Sequence, residues 1–168
     1  MPDLQTALST HHQAVEIFLA AGRAIPESQW SQPRLPGKWS PGQVAEHVAL
    51  AYEVNRGVLH GRAAAATAPR FLRPWIRRFA LQRVLRRGRF IPGSRSPKVF
   101  RPGNSPAAPA VLLERLQAAV AGFEADAAAA GATTIDHPFF GRLPLVDFVR
   151  LQEIHTEHHR GQLLPGAV

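Results

Sequence analysis

The stretch LQEIHTEHHRGQLL, near the end of the 168-residue sequence, places His155, His158 and His159 within five residues. Imidazole is both a common metal ligand and the side chain best suited to proton transfer near neutral pH, so the cluster points to either chemistry. Spacing sharpens the choice. On a helix, His159 lies about 40° from His155, and Phe148, Gln152 and Leu163 fall on the same side. The pair therefore sits within the inward stripe, while His158, about 60° the other way, lies at its edge. Two imidazoles four residues apart project side by side and can converge on one ion at about 2.0–2.1 Å from each nitrogen. The competing reading is a pair of core histidines, each neutral and hydrogen-bonded.

His47, in SPGQVAEHVALAYE, bears on that choice. It projects from the apolar stripe of another predicted helix, near its start, whereas the pair lies near the end of the last helix. Antiparallel packing brings those ends to one level. Three imidazoles with an open position suit a catalytic zinc site, and also nickel or iron. Such an ion lowers the pKa of water or thiol, or polarises a carbonyl. There is no cysteine, so disulfides and Cys-type zinc sites are excluded and any thiol must come as a cosubstrate.

Other candidates surround the three. Gln162 shares their face and is read as orienting a ligand or water, or as a helix-end hydrogen bond. His11 is inward on the first helix, a second contact around the site or ordinary packing. His158 reads as structural or supporting rather than as a ligand. His12, His60 and His137 read as surface or loop residues. Candidates for a general base are poor: Glu46 points about 100° from His47, and Glu153 and Glu157 lie about 160° from His155. The absence of H-E-x-x-H counts against a zincin protease.

Four long amphipathic helices are predicted to position these residues, over about 3–21, 41–60, 106–130 and 144–164. Asp3 caps the first. Ser40, Pro41 and Gln43 form a capping-box start for the second. The third carries Leu112, Leu116, Val120, Phe123 and Ala127, and Pro144 opens the fourth. No strand alternation is read anywhere. The expected fold is all-α, a four-helix bundle in one domain over 1–168, with 61–105 as a crossover excursion between the second and third helices.

That excursion is chemically distinct. It holds 12 of the 20 Lys and Arg and no Asp or Glu, so the remainder of a chain of net charge +8 is mildly acidic. Within it, RFLRPWIRRFALQRVLRRGRF reads as a short basic amphipathic helix, with Leu72, Trp75, Ile76, Phe79 and Val84 assigned to one side. The simplest reading docks that side on the bundle or on a dimer mate. An alternative places residues 70–90 on nucleic acid or anionic lipid, and a third uses the positive field to draw in an anionic substrate or thiol cofactor. No apolar run long enough to cross a membrane and no secretory signal is read, so a cytoplasmic location is expected.

GKWSPGQVAEHVALAYE together with HTEHHRGQL resembles the DinB-like, or YfiT-like, superfamily of metal-binding four-helix bundles, and the resemblance extends over most of the chain. It implies a divalent metal, zinc or nickel, on His47, His155 and His159. It also implies homodimers, and, in some members, transferase or isomerase chemistry with low-molecular-weight thiols. The reading carried forward is a metal-dependent enzyme acting on a small-molecule substrate, as a thiol-dependent S-transferase or isomerase. Metal-dependent hydrolysis ranks behind it. The alternative is a non-enzymatic binding protein that uses the basic segment.

Overall fold

A computed structural model describes residues 3–62, 68–90, 96–131 and 133–163. The low-complexity run at 63–67, the start of the loop at 91–95 and the expected helix end at Leu164 lie outside these residues. Four long helices are present: α1 (Leu4–Arg23), α3 (Pro41–Leu59), α6 (Pro109–Ala129) and α7 (Leu145–Leu163). Between them come the short α2 (Glu27–Trp30), α4 (Arg73–Ile76) and α5 (Gln82–Arg87), the last two joined by a π turn at Arg77–Leu81. A 3₁₀ turn spans Lys98–Phe100.

The helix starts follow local chemistry. The Asp3 carboxylate accepts the Thr6 N–H at 2.7 Å. At α3 the Ser40 hydroxyl accepts the Gln43 N–H, and the Gln43 side-chain oxygen accepts the Ser40 N–H, with Pro41 in the first turn. Both devices satisfy amide donors that the first turn of a helix leaves unpaired.

Side-chain pairs fix the helix directions. Tyr52 bonds Thr156, and Asn55 bonds Gln152, so α3 runs antiparallel to α7. Glu53 pairs with Arg115, and Arg56 with Asp126, so α6 runs parallel to α3. His11 meets Glu124, and Arg23 meets Gln117, so α1 runs antiparallel to α6. Consecutive bundle helices that are parallel need a connection as long as the bundle, and residues 60–108 supply it. The core between the four helices is formed by Phe18, Leu19, Val48, Tyr52, Leu112, Leu116, Phe123, Phe148 and Val149, among others.

Two features depart from the sequence reading. First, the segment before α7 contains an antiparallel hairpin, β1 (Thr134–His137) and β2 (Gly141–Pro144), with Ile135 opposite Leu143. Its four-residue strands are too short to declare a period of two. Gly141, at φ +65°, takes the left-handed position that closes a three-residue hairpin loop. Pro144 ends β2 instead of opening the helix, and the Leu145 N–H bonds the Thr133 carbonyl at 2.9 Å. Second, the basic segment does not present one apolar stripe. Leu81, Val84 and Leu85 are buried, whereas Leu72, Trp75 and Phe79 are exposed. Val84 is nine residues beyond Trp75, which at 100° per residue is about half a turn away, so the two were never on one side.

Gly42 in the first turn of α3 lets the end of α2 and the loop before α6 close over it. A Cβ there would lie 2.7 Å from both Pro106 Cγ and Trp30 Nε1, and the latter already donates to the Ala107 carbonyl. Gly42→Ala should cost about 1–3 kcal/mol of stability through overpacking. The check is a lower urea midpoint at unchanged slope; an unchanged midpoint would mean the contact is soft.

Candidate metal centre

His47 comes from the second turn of α3, and His155 and His159 from consecutive turns of α7. Antiparallel packing of α3 on α7 brings the three together. The Nε2 of His155 lies 3.2 Å from Nε2 of His47 and 3.1 Å from Nε2 of His159. Each of the three offers a ring nitrogen, all within 4.8 Å of one another, in an arrangement that could hold a metal ion.

The protonation pattern is set from behind. His47 Nδ1 lies 2.6 Å from the Phe100 carbonyl oxygen, and His159 Nδ1 lies 2.9 Å from the Gln162 side-chain oxygen. Both partners are acceptors, so both Nδ1 atoms carry the hydrogen and both Nε2 atoms present lone pairs. His155 has one Nε2 and two such neighbours. A hydrogen on it could serve only one of them, whereas a cation between the three satisfies every lone pair. Four ligands about 2.0–2.1 Å from a tetrahedral zinc lie roughly 3.3 Å apart, close to the spacings here. Nδ1 anchored to a carbonyl is also the usual support of a metal-ligating histidine. The donor set therefore fits a divalent ion.

Burial reinforces this state. It pushes His47 below the ordinary imidazole value, against the opposing pull of the Phe100 carbonyl. Burial, with His47 and His158 adding repulsion, takes His155 down to about 3. His159 is driven well down by burial and by its two imidazole neighbours. All three are neutral at pH 7, as ligands must be. Aromatic rings flank them: Trp39 lies 4.9 Å from His47, and Phe90 lies 5.4 Å from His155.

The remaining candidates take different places. Gln162 reaches the site through His159, and its side-chain nitrogen lies 3.3 Å from Nε2 of His158, linking the two histidines. His158 packs beside His159 and Phe90, outside the convergence point. His11 is fully buried in a polar chain below the triad. Its Nε2 meets the Tyr52 hydroxyl at 2.8 Å, its Nδ1 meets Glu124 at 2.8 Å, and Tyr52 meets Thr156 at 2.6 Å. Thr156 directly follows His155, so this chain fixes α7 at the level of the site. The carboxylates near the triad in sequence are engaged elsewhere: Glu46 accepts the Gly103 N–H, Glu153 the Thr10 hydroxyl, and Glu157 pairs with Arg160.

His12 and His60 are exposed, each beside a carboxylate. His137, read from the sequence as surface or loop, is buried in β1. Its ring stacks on Phe140 at 4.6 Å, and its Nδ1 accepts the Phe139 N–H. It was misread because the hairpin that turns it inward was not recognised. Tyr52, Thr156 and the Phe100 carbonyl were also missed. The apolar register of α3 could have indicated Tyr52; a backbone carbonyl delivered by a distant loop leaves no sequence signal.

Acid should destabilise the protein. Burial, with Arg73 nearby, lowers His137 to about 4 in the folded chain, against 6.5 for the free side chain. Between those values the unfolded chain binds the proton and the folded chain does not, so stability falls as pH drops. Glu124 acts in the same direction lower in pH: burial raises its pKa, but hydrogen bonds from His11 and His12 outweigh that and lower it. The metal-free protein should show a decreasing urea midpoint from about pH 6.5 to pH 4, and His137→Phe should make that slope shallower, the lowered triad histidines supplying the rest. A midpoint independent of pH over this window would contradict burial of a neutral His137.

The family model of the DinB superfamily matches residues 10–163, a span that contains the whole triad and its supports. No match was found among curated proteins or solved structures. The match covers all four long helices from the second turn of α1 onward, and the chain belongs to the DinB superfamily.

Proposed function

We propose that His47, His155 and His159 hold one zinc or nickel ion and that the protein is a metal-dependent enzyme using a low-molecular-weight thiol as cosubstrate. The observation that carries the reading is the convergence of three Nε2 atoms, two of them bearing lone pairs fixed by acceptors behind the ring. A divalent ion bound there lowers the pKa of a thiol that reaches it. In the transfer, the thiol sulfur bonds to an electrophilic carbon of a small substrate. The leaving group departs with the electron pair of the bond it breaks, and the thiol proton passes to the buffer.

The chain's own residues position rather than react. Gln162 and the Phe100 carbonyl keep the imidazoles in the ligating tautomer. Trp39 and Phe90 limit water around them, and the Glu124–His11–Tyr52–Thr156 chain holds α7 in register with α3. The sequence holds no cysteine, and Glu46, Glu153 and Glu157 are engaged elsewhere, which favours an external thiol over a chain nucleophile or a water-activating base.

Gln162→Ala should weaken metal affinity about 10- to 100-fold while leaving the helical content unchanged, because it removes the anchor of one ligand rather than the ligand. A competition titration with a chromophoric chelator checks this, and wild-type affinity in the variant would contradict it. The function is tested by following the loss of bacterial low-molecular-weight thiols and of glutathione against 1-chloro-2,4-dinitrobenzene and an epoxide. The expected result is turnover above background with at least one thiol, abolished by chelation and by His155→Ala. Background rates with every thiol and electrophile, in protein shown to be metal-loaded, would overturn the transferase reading.

A further inference from the structure

Among the described residues, four of the seven large apolar side chains that stand most exposed fall within nine consecutive positions. Phe71 is 76% exposed, Trp75 62%, Phe79 60% and Leu72 41%. Phe71 and Leu72 in the turn before α4, Trp75 on α4 and Phe79 in the π turn together make an exposed apolar ridge. Trp75 and Phe79 stack on each other, with centroids 5.7 Å apart and planes 11° from parallel. The segment does not need this ridge to hold it in place. Its opposite side already buries Leu81, Val84 and Leu85 in the bundle core.

Guanidinium groups surround the ridge. Arg78, Arg83, Arg86 and Arg87 line a shallow cleft with Phe79. A second cleft, on the hairpin side, is lined by Arg70, Arg73, Arg77 and Arg142. Residues 61–105 contain no acidic residue. Among the described residues, Arg73 is the one arginine of this helical segment with a carboxylate within salt-bridge distance, Asp136 at 3.7 Å.

The combination selects a partner. A second copy packed symmetrically on this face would set arginine against arginine. Nucleic acid would use the arginines and could stack a base on Phe71, but Trp75 and Phe79 already cover one face of each other, and Leu72 has no ring to stack. An anionic bilayer uses both parts. An apolar ridge enters the boundary between headgroups and acyl chains while flanking guanidiniums meet lipid phosphates. Tryptophan favours that boundary too, having an apolar ring and a polar N–H.

We propose that the ridge of Phe71, Leu72, Trp75 and Phe79, with Arg78 and Arg83 beside it, docks this protein peripherally on an anionic lipid surface. No helix among the described residues is long and apolar enough to cross a membrane, so the attachment is interfacial. The triad lies on α3 and α7 and takes no part in the docking, so the two proposals stand or fall separately.

The test uses the full chain, untagged, floated with vesicles of phosphatidylcholine alone or of phosphatidylcholine with phosphatidylglycerol, at low and high salt. Brominated acyl chains report insertion of Trp75 by fluorescence quenching. Binding to the anionic vesicles alone, weakened by salt, is expected. Phe71→Ser with Phe79→Ser should reduce it about tenfold or more, and Trp75→Phe should remove most of the quenching. The substituted side chains are exposed, so thermal unfolding should be unchanged; His155→Ala should bind vesicles as the wild type does. No vesicle binding, equal binding to neutral vesicles, or wild-type binding by the double variant would each overturn the proposal. So would two alternative partners: a duplex or single-stranded nucleic acid that binds tightly where vesicles do not, or a dimer in solution that Phe71→Ser and Phe79→Ser dissolve.

Discussion

Three neutral imidazoles whose Nε2 atoms converge, that of His155 lying 3.1–3.2 Å from the other two, are the arrangement on which the rest of this structure turns. Left alone, two fixed lone pairs compete for at most one hydrogen. Burial prevents the simplest escape, which is protonation, by holding all three histidines below their ordinary pKa. A cation between the three would satisfy every lone pair, and the arrangement of the ring nitrogens fits one. α3 must run against α7 for His47 to meet His155 and His159 at one level. The Phe100 carbonyl and Gln162 must take the outer hydrogens so that the inner nitrogens are free.

The same constraint explains why polar groups are tolerated in the bundle core. Tyr52, Thr156, His11 and Glu124 form one hydrogen-bonded chain, and Asn55 with Gln152 forms a second bond between α3 and α7. No buried side-chain nitrogen or oxygen among the described residues is left without a partner. Apolar contacts alone would permit a helix to slide or rotate at small cost. Directional bonds at two levels between α3 and α7 do not, and a ligand set shared between two helices requires that register.

How much of this was legible in the sequence depended on range. The bundle helices were readable because caps and apolar stripes are local: Asp3, the Ser40–Gln43 box and the Leu112–Phe123 series each declare their element within a few residues. The triad was readable because the two α7 ligands are one turn apart and the third falls on an inward stripe. The hairpin was not, since four-residue strands carry no usable period, and His137 was misplaced with it. Hydrophobicity alone does not divide the basic segment, whereas angle does: Val84 belongs to the buried side with Leu81 and Leu85, and Trp75 to the exposed one. The groups that set the tautomers were legible only in part. Gln162 shares the ligand face, but the Phe100 carbonyl arrives through a 3₁₀ turn more than fifty residues from His47, and no pattern announces it.

The most direct test of the central claim is the metal content of the untagged protein after loading with zinc or nickel and desalting. It should be measured by elemental analysis beside His47→Ala and His159→Ala. The account predicts one ion per wild-type chain and none retained by either variant, with all three proteins equally helical. A wild-type chain that keeps no ion, or variants that keep it as well as the wild type does, would contradict the assignment of His47, His155 and His159 as the ligands.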